Sequence, residues 1–182
     1  MTPTHRQAAR PRQAGFTIIE LMVSITVLGV LLGIGVPAFN DLIRNNRMAT
    51  QTNALVGALN YARGETATRG VPVAICASNA TQAACSEDEA DWANGWIVFT
   101  DRSGTPGVID GTDGVLQTGR GLTGGFSLET TESFVRFGIG AQPTTELTFT
   151  IRPVDSRYCS STGRRQISVS RLGRINTSKS TC

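Results

Sequence analysis

The feature that most constrains this chain is an apolar run from Phe16 to Phe39, set directly behind a basic segment. With its flank it reads AGFTIIELMVSITVLGVLLGIGVPAF. Phe16 to Ala38 as a helix rises about 35 Å, enough to cross a bilayer core. The polar members of the run are Thr17, Glu20, Ser24 and Thr26, and Glu20 is its only charge. Arg6, Arg10 and Arg12 precede it with no acidic residue, whereas Arg44 and Arg47 beyond it are partly offset by Asp41. That asymmetry puts the leader on the cytoplasmic side and the rest of the chain outside. A plain signal anchor accounts for the span but not for Glu20. A carboxylate at the centre of a spanning helix costs at least about 2.5–3.5 kcal/mol on insertion scales, so it needs a partner or a function.

A secretory signal carries its small-residue cleavage site after the apolar core. Here the small residue, Gly15, stands before it. A glycine followed by F-T-x-x-E resembles the type III signal of type IV pilins and type II secretion pseudopilins. The resemblance implies that a prepilin peptidase cuts between Gly15 and Phe16 and methylates the new terminus at Phe16. It also implies that Glu20 matches the free amine of a neighbouring subunit during filament assembly.

Beyond Pro37 the pattern turns amphipathic. Met48, Leu55, Leu59 and Ala62 recur at helical spacing, with Arg44, Asn45, Arg47 and Arg63 polar. Arg69, Gly70 and Pro72 form a stop signal. Pro37 lies within the helical pattern, removes one backbone hydrogen bond and should kink it. After Gly70 the chain reads as strands separated by turns: 71–77, 95–100, 115–118, 133–138, 146–153, 166–170 and 174–177. The fold class is therefore α+β, a long N-terminal helix packed on an antiparallel β-sheet domain. The expected organisation is a cleaved leader 1–15, a transmembrane part 16–39, an amphipathic part 40–70 and a β domain 71–182.

Two further blocks, RNNRMATQTNALVGALNYARGETATRGVPVAIC and WANGWIVFTD, resemble the GspH/FimT branch of minor pilins and pseudopilins. Trp92 and Trp96 in the second block read as core anchors. The resemblance implies other pilin or pseudopilin subunits, a prepilin peptidase and the inner membrane as partners.

Cys76, Cys85, Cys159 and Cys182 all follow the apolar run. Their spacing is not that of a zinc site, and the single histidine, His5, is in the leader. Disulfides fit the oxidising side of the membrane. Three connectivities are open, and Cys76–Cys85 with Cys159–Cys182 is the simplest. Nothing points to an enzyme, a cofactor or a metal: the mature chain has no histidine, and no Gly-rich phosphate loop follows a strand. Asp101, Asp110 and Asp113 invite comparison with a calcium loop, but the spacing is not that of an EF-hand and Asp-Gly turns are ordinary between strands.

Charge is segregated along the chain. Without the leader, basic and acidic residues balance at 14 each. Residues 86–133 carry nine acidic side chains against Arg102 and Arg120, and residues 152–182 carry seven basic ones against Asp155. Such segregation suits intersubunit pairing or an anionic partner. Some members of the branch bind DNA through a G-R-x-R motif. Here the matching stretch is Gly173-Arg174-Ile175-Asn176, with asparagine in place of the second arginine. Arg164, Arg165, Arg171, Arg174 and Lys179 are the candidate contacts to duplex DNA, provided that a hairpin gathers them on one face. The readings are a FimU-like pilus subunit, a minor pseudopilin of type II secretion, or a DNA-binding minor pilin.

Overall fold

The computed structural model describes residues 15–102, 104–159 and 163–182. The leader arginines Arg6, Arg10 and Arg12 lie outside the described residues. Two compact units emerge, one ending at Asn40 and one running from Asp41 to Cys182.

One helix, α1 (Ile18–Arg69), contributes to both units and continues through Pro37. It starts at Thr17, whose hydroxyl oxygen accepts from the Glu20 amide at 3.2 Å and whose carbonyl accepts from the Leu21 amide at 3.1 Å. It stops at Gly70, which takes φ +66° and donates its amide to the Thr66 carbonyl at 3.0 Å. That is a left-handed cap, available to glycine without a Cβ penalty. In the first unit the apolar side chains are exposed, Phe16 by 86% and Ile18 by 81%. A helix apolar on all sides with nothing packed on it is suited to lipid rather than water.

In the second unit one stripe of α1 is buried: Met48, Thr52, Leu55, Ala58, Leu59, Ala62 and Thr66. Among the described residues eight strands follow: β1 (Val73–Ala77), β2 (Gly95–Thr100), β3 (Val115–Arg120), β4 (Phe126–Glu129), β5 (Phe134–Phe137), β6 (Leu147–Pro153), β7 (Arg164–Val169) and β8 (Ile175–Ser180). They form two four-stranded antiparallel sheets, in the orders β3-β2-β1-β5 and β4-β6-β7-β8. The single sheet expected from sequence is thus two.

The principal core joins the α1 stripe to both sheets. From the first come Val73, Ile75, Trp96, Val98 and Val135, from the 3-10 turn before β2 comes Trp92, and from the second sheet come Leu128, Leu147, Phe149, Ile151, Ile167 and Val169. The opposite face of the first sheet is also covered, with Ala74, Cys76, Ile97 and Phe99 packing against Cys85, Ile109 and Phe134. Every residue of β1 and β2 is therefore buried, which explains their continuous apolar sequence. β6 has one wet face and alternates strictly between buried and less buried positions.

Both tryptophans are core residues. The Trp92 indole meets Phe149 edge-on at 4.8 Å and donates to the Glu132 carbonyl at 2.8 Å. Trp96 lies over Gly119, its cross-strand neighbour on β3. Cys76 is bonded to Cys85 and Cys159 to Cys182, with Cα separations of 5.6 and 5.7 Å. The first clips the loop after β1 to the sheet, and the second ties the end of β8 to the turn before β7.

A methyl group at Gly119 would collide with the Trp96 indole, whereas one at Gly64 on α1 would meet open space. Gly119→Ala should lower the unfolding free energy by about 1–3 kcal/mol through overpacking. Gly64→Ala should raise it by about 0.5–1 kcal/mol through helix propensity. Denaturant titration of both variants checks the opposite signs.

Candidate functional site

The N-terminal element is built from Gly15, Phe16, Thr17 and Glu20. T-x-x-E at a helix start is the pattern of a capping box, in which threonine accepts from the amide at the fourth position and glutamate reaches back. The structure contains the first half of that exchange. Among the described residues the Glu20 side chain has no hydrogen-bonding or ionic partner. Its place in the first turn suits a negative charge, because the unsatisfied amides there are electropositive. The sequence signal for the role of Thr17 as helix cap is the T-x-x-E spacing itself.

The five candidate DNA-contacting residues fall into separate places. Arg165 and Lys179 stand directly opposite one another on β7 and β8. They continue the row of Ile167 and Val169, so they lie on the core-facing side of the second sheet. Arg164 points to the other side and donates from Nε to the Ser180 hydroxyl at 2.9 Å. Arg171 and Arg174 are at the opposite end of the hairpin. The turn between them closes through a bond from the Gly173 amide to the Ser170 carbonyl, with Gly173 at φ +73°. Arg171 is drawn to Glu146, with N–O separation 3.8 Å. Arg174 donates from Nε to Asn176 Oδ1 at 3.1 Å, so the asparagine in the second motif position partners the arginine in the first. Arg63 of α1 lies beside Gly173. Arg63 is one of the polar positions of the helical pattern, and only the tertiary fold brings it to this turn. The hairpin therefore does not gather the five cations on one face.

Other charges are used internally. The Asp101 carboxylate, 1% exposed, accepts from the Gly107 amide at 3.1 Å and from Arg136 Nε at 3.0 Å. Arg136 also donates to the Asp101 carbonyl at 3.0 Å. Asp110 accepts from the Thr105 amide and Asp113 from the Arg102 amide, each at 2.9 Å. These carboxylates tie their own loop, and no cluster of metal-ligating side chains occurs among the described residues. Near the C-terminus, the Arg44 guanidinium stacks 3.5 Å from the Tyr158 ring centroid. A hydrogen bond from the Arg157 side chain, then one from its amide, holds the Asp155 carboxyl below its ordinary range.

An exposed apolar helix that continues into a two-sheet β domain defines a membrane-anchored subunit of the pilin type. The solved structure of the type IV minor pilin FimU of Pseudomonas aeruginosa has the same fold, with TM-score 0.57 and 20% identity, over 75% of this chain and 92% of that one. The family described as Type II transport protein GspH matches residues 51–173, and the prokaryotic N-terminal methylation motif matches residues 10–36. The chain belongs to the GspH family. Among its relatives, fimbrial protein EcpC of Eikenella corrodens is 30% identical over 62% of this chain and 70% of that protein. The type IV major fimbrial protein FimA of Dichelobacter nodosus is 31% identical over 65% of this chain and 66% of its own length. Proteins of this kind are structural subunits rather than enzymes.

Asp101→Ala would remove the carboxylate that accepts from Arg136 Nε and the Gly107 amide in a buried setting, leaving Arg136 only its bond to the main-chain carbonyl of residue 101. It should destabilise the β domain by about 3 kcal/mol, the loss expected when one partner of a buried ion pair is removed. Thermal unfolding of the variant should show the loss, and calcium should leave the melting temperature of the unaltered protein unchanged.

Proposed function

We propose that this chain is a minor subunit of a type IV pilus. It is made as a precursor, cut between Gly15 and Phe16, methylated at Phe16 and held in the inner membrane by the exposed half of α1. The observation that carries this reading is the union of a methylation-type N-terminus with a FimU-like β domain in one chain. The fimbrial relatives support a pilus context. Two disulfides and no free thiol among the described residues suit a periplasmic domain.

Glu20 is the assembly residue in this reading. Among the described residues its carboxylate is uncommitted, and it lies four residues from Phe16. The secondary amine of a processed neighbour would supply the cation that this carboxylate lacks in lipid.

A minor pseudopilin of type II secretion is the second reading, and the description of the matching family favours it. Binding of duplex DNA through the C-terminal hairpin has weaker support. Its five cations are dispersed, and Arg171 has an acidic partner. A deletion strain scored for twitching, secretion and transformation separates the three roles: the pilus reading expects loss of twitching with secretion intact.

Gly15→Val should block processing, because a β-branched side chain obstructs a peptidase site fitted to glycine. Mass spectrometry should then find residues 1–15 still attached, and should find N-methylated Phe16 at the start of the unaltered protein. Glu20→Val should leave insertion and the β domain intact and abolish entry into filaments, read by the fraction of the protein in sheared pili.

A further inference from the structure

Arg165 and Lys179 are an unusual pair. Like charges placed directly opposite on neighbouring strands repel. Neither makes an ion pair or hydrogen bond among the described residues. They border a groove of about 230 Å³ between β8 and α1, lined also by Thr52 and Asn53 of the helix and Thr177 of β8. No acidic residue lines it. Arg165 is half-buried there, at the end of the row whose other members are core residues. Two cations, a hydroxyl at Thr177 and an amide at Asn53 face a space sized for one small anionic group. The dispersal of Arg164, Arg171 and Arg174 to other positions argues against a nucleic-acid strand.

The chain carries a matching anion elsewhere. Glu87 and Glu89 are exposed, and among the described residues neither has a hydrogen-bonding or ionic partner. Their segment is held firmly. Cys85 is bonded to Cys76, the Ser86 amide donates to the Ala77 carbonyl at 2.8 Å, and Asp88 caps the following 3-10 turn by accepting from the Ala90 amide. Because the backbone here is already held, docking orders only the glutamate side chain and not the segment that carries it. The acidic segment follows β1 of the first sheet and the groove belongs to β8 of the second, and the two do not pair within one chain.

We propose that the Arg165–Lys179 groove is a carboxylate-docking site, and that its occupant is Glu87 or Glu89 of a second copy of this chain. One surface meets a different surface, so the contact is head-to-tail. Contacts of that kind generate open arrays rather than closed dimers. Part of the charge segregation along the sequence then has a physical purpose: Glu87 and Glu89 of the acidic segment, and Arg165 and Lys179 of the basic one, are the two halves of an intermolecular contact, while Glu129 and Arg152 pair within the chain. The contact does not depend on which filament or secretion machine uses the chain.

Lys179 is the single lysine of the sequence, which makes the test specific. Full-length chain in detergent micelles is prepared with ordinary and with heavy nitrogen, mixed in equal amounts and treated with a carbodiimide. The reagent activates a carboxylate, and a nearby amine displaces it to form an amide. Peptide mass spectrometry should find a mixed-isotope link between Lys179 and Glu87 or Glu89. Coupling within one copy, coupling to other carboxylates instead, or no coupling would overturn the proposal. Charge exchange provides a second arm. Lys179→Glu copies alone should lose the link, and mixing them with copies carrying Glu87→Lys and Glu89→Lys should restore an interchain link between the same positions. Failure of the mixture to restore it would also overturn the proposal. Neither result bears on twitching or secretion, so failure here is distinguishable from failure of the filament reading.

Discussion

The β domain depends on one stripe of one helix. Met48, Thr52, Leu55, Leu59, Ala62 and Thr66 recur at alternating steps of four and three, the spacing that keeps side chains on a single helical face. That face is shared by both sheets, whose apolar sides meet it in one continuous core. Small residues let the strands approach: Ala58 and Ala62 are buried beside the larger leucines. The two buried threonines leave no orphaned hydroxyl, because Thr52 donates to the Met48 carbonyl at 2.7 Å and Thr66 to the Ala62 carbonyl at 3.1 Å. Without this stripe each sheet would expose an apolar face to water. The second sheet is the more dependent, since its outer face is polar and its inner face is its sole source of burial.

Much of this was legible because periodicity reports burial. The helical stripe, its stop at Gly70 and the segments that became β1, β2 and β6 were all visible in the residues. What was lost was lost for identifiable reasons. β4 is four residues long and follows Gly124 and Gly125, so a turn signal hid it. β7 and β8 extend further than the hydrophobic pattern suggests. Their outer ends pair Arg164 with Ser180 and Arg165 with Lys179, polar residues that carry no strand signal of their own. The disulfide at Cys182 holds those ends together. The division into two sheets was not legible, because strand partners are set by the shared helix rather than by local sequence. The placement of the basic residues was hidden for the same reason: counting arginines along the chain says nothing of which side of a strand each takes.

The N-terminal half of α1 obeys a different rule from the C-terminal half. There the apolar residues occur on every side and stay exposed, so their natural solvent is lipid. Within such a helix a carboxylate can be satisfied locally or left for another molecule. Thr17 takes the Glu20 amide, and the glutamate side chain does not complete the reciprocal bond. The cap therefore orders the first turn while leaving the charge uncommitted. The T-x-x-E spacing thus separates two roles: the threonine starts the helix, and the glutamate side chain is not needed to hold that first turn.

The opposite end of the sequence handles an exposed edge. β8 is the last strand of its sheet, and an edge strand offers unpaired backbone groups to any passing chain. Its sequence, INTSKS, is polar and carries a lysine, which discourages indiscriminate strand addition. Recognition along this edge is therefore left to side chains. Lysine alone would leave it solvated and indifferent. Opposed by Arg165, and lying beside a helix that supplies hydroxyl and amide groups, the same lysine becomes half of a cationic groove with a defined size. An edge protected against unspecific pairing by one charge is thus selective for an opposite charge when a second cation is set across from the first.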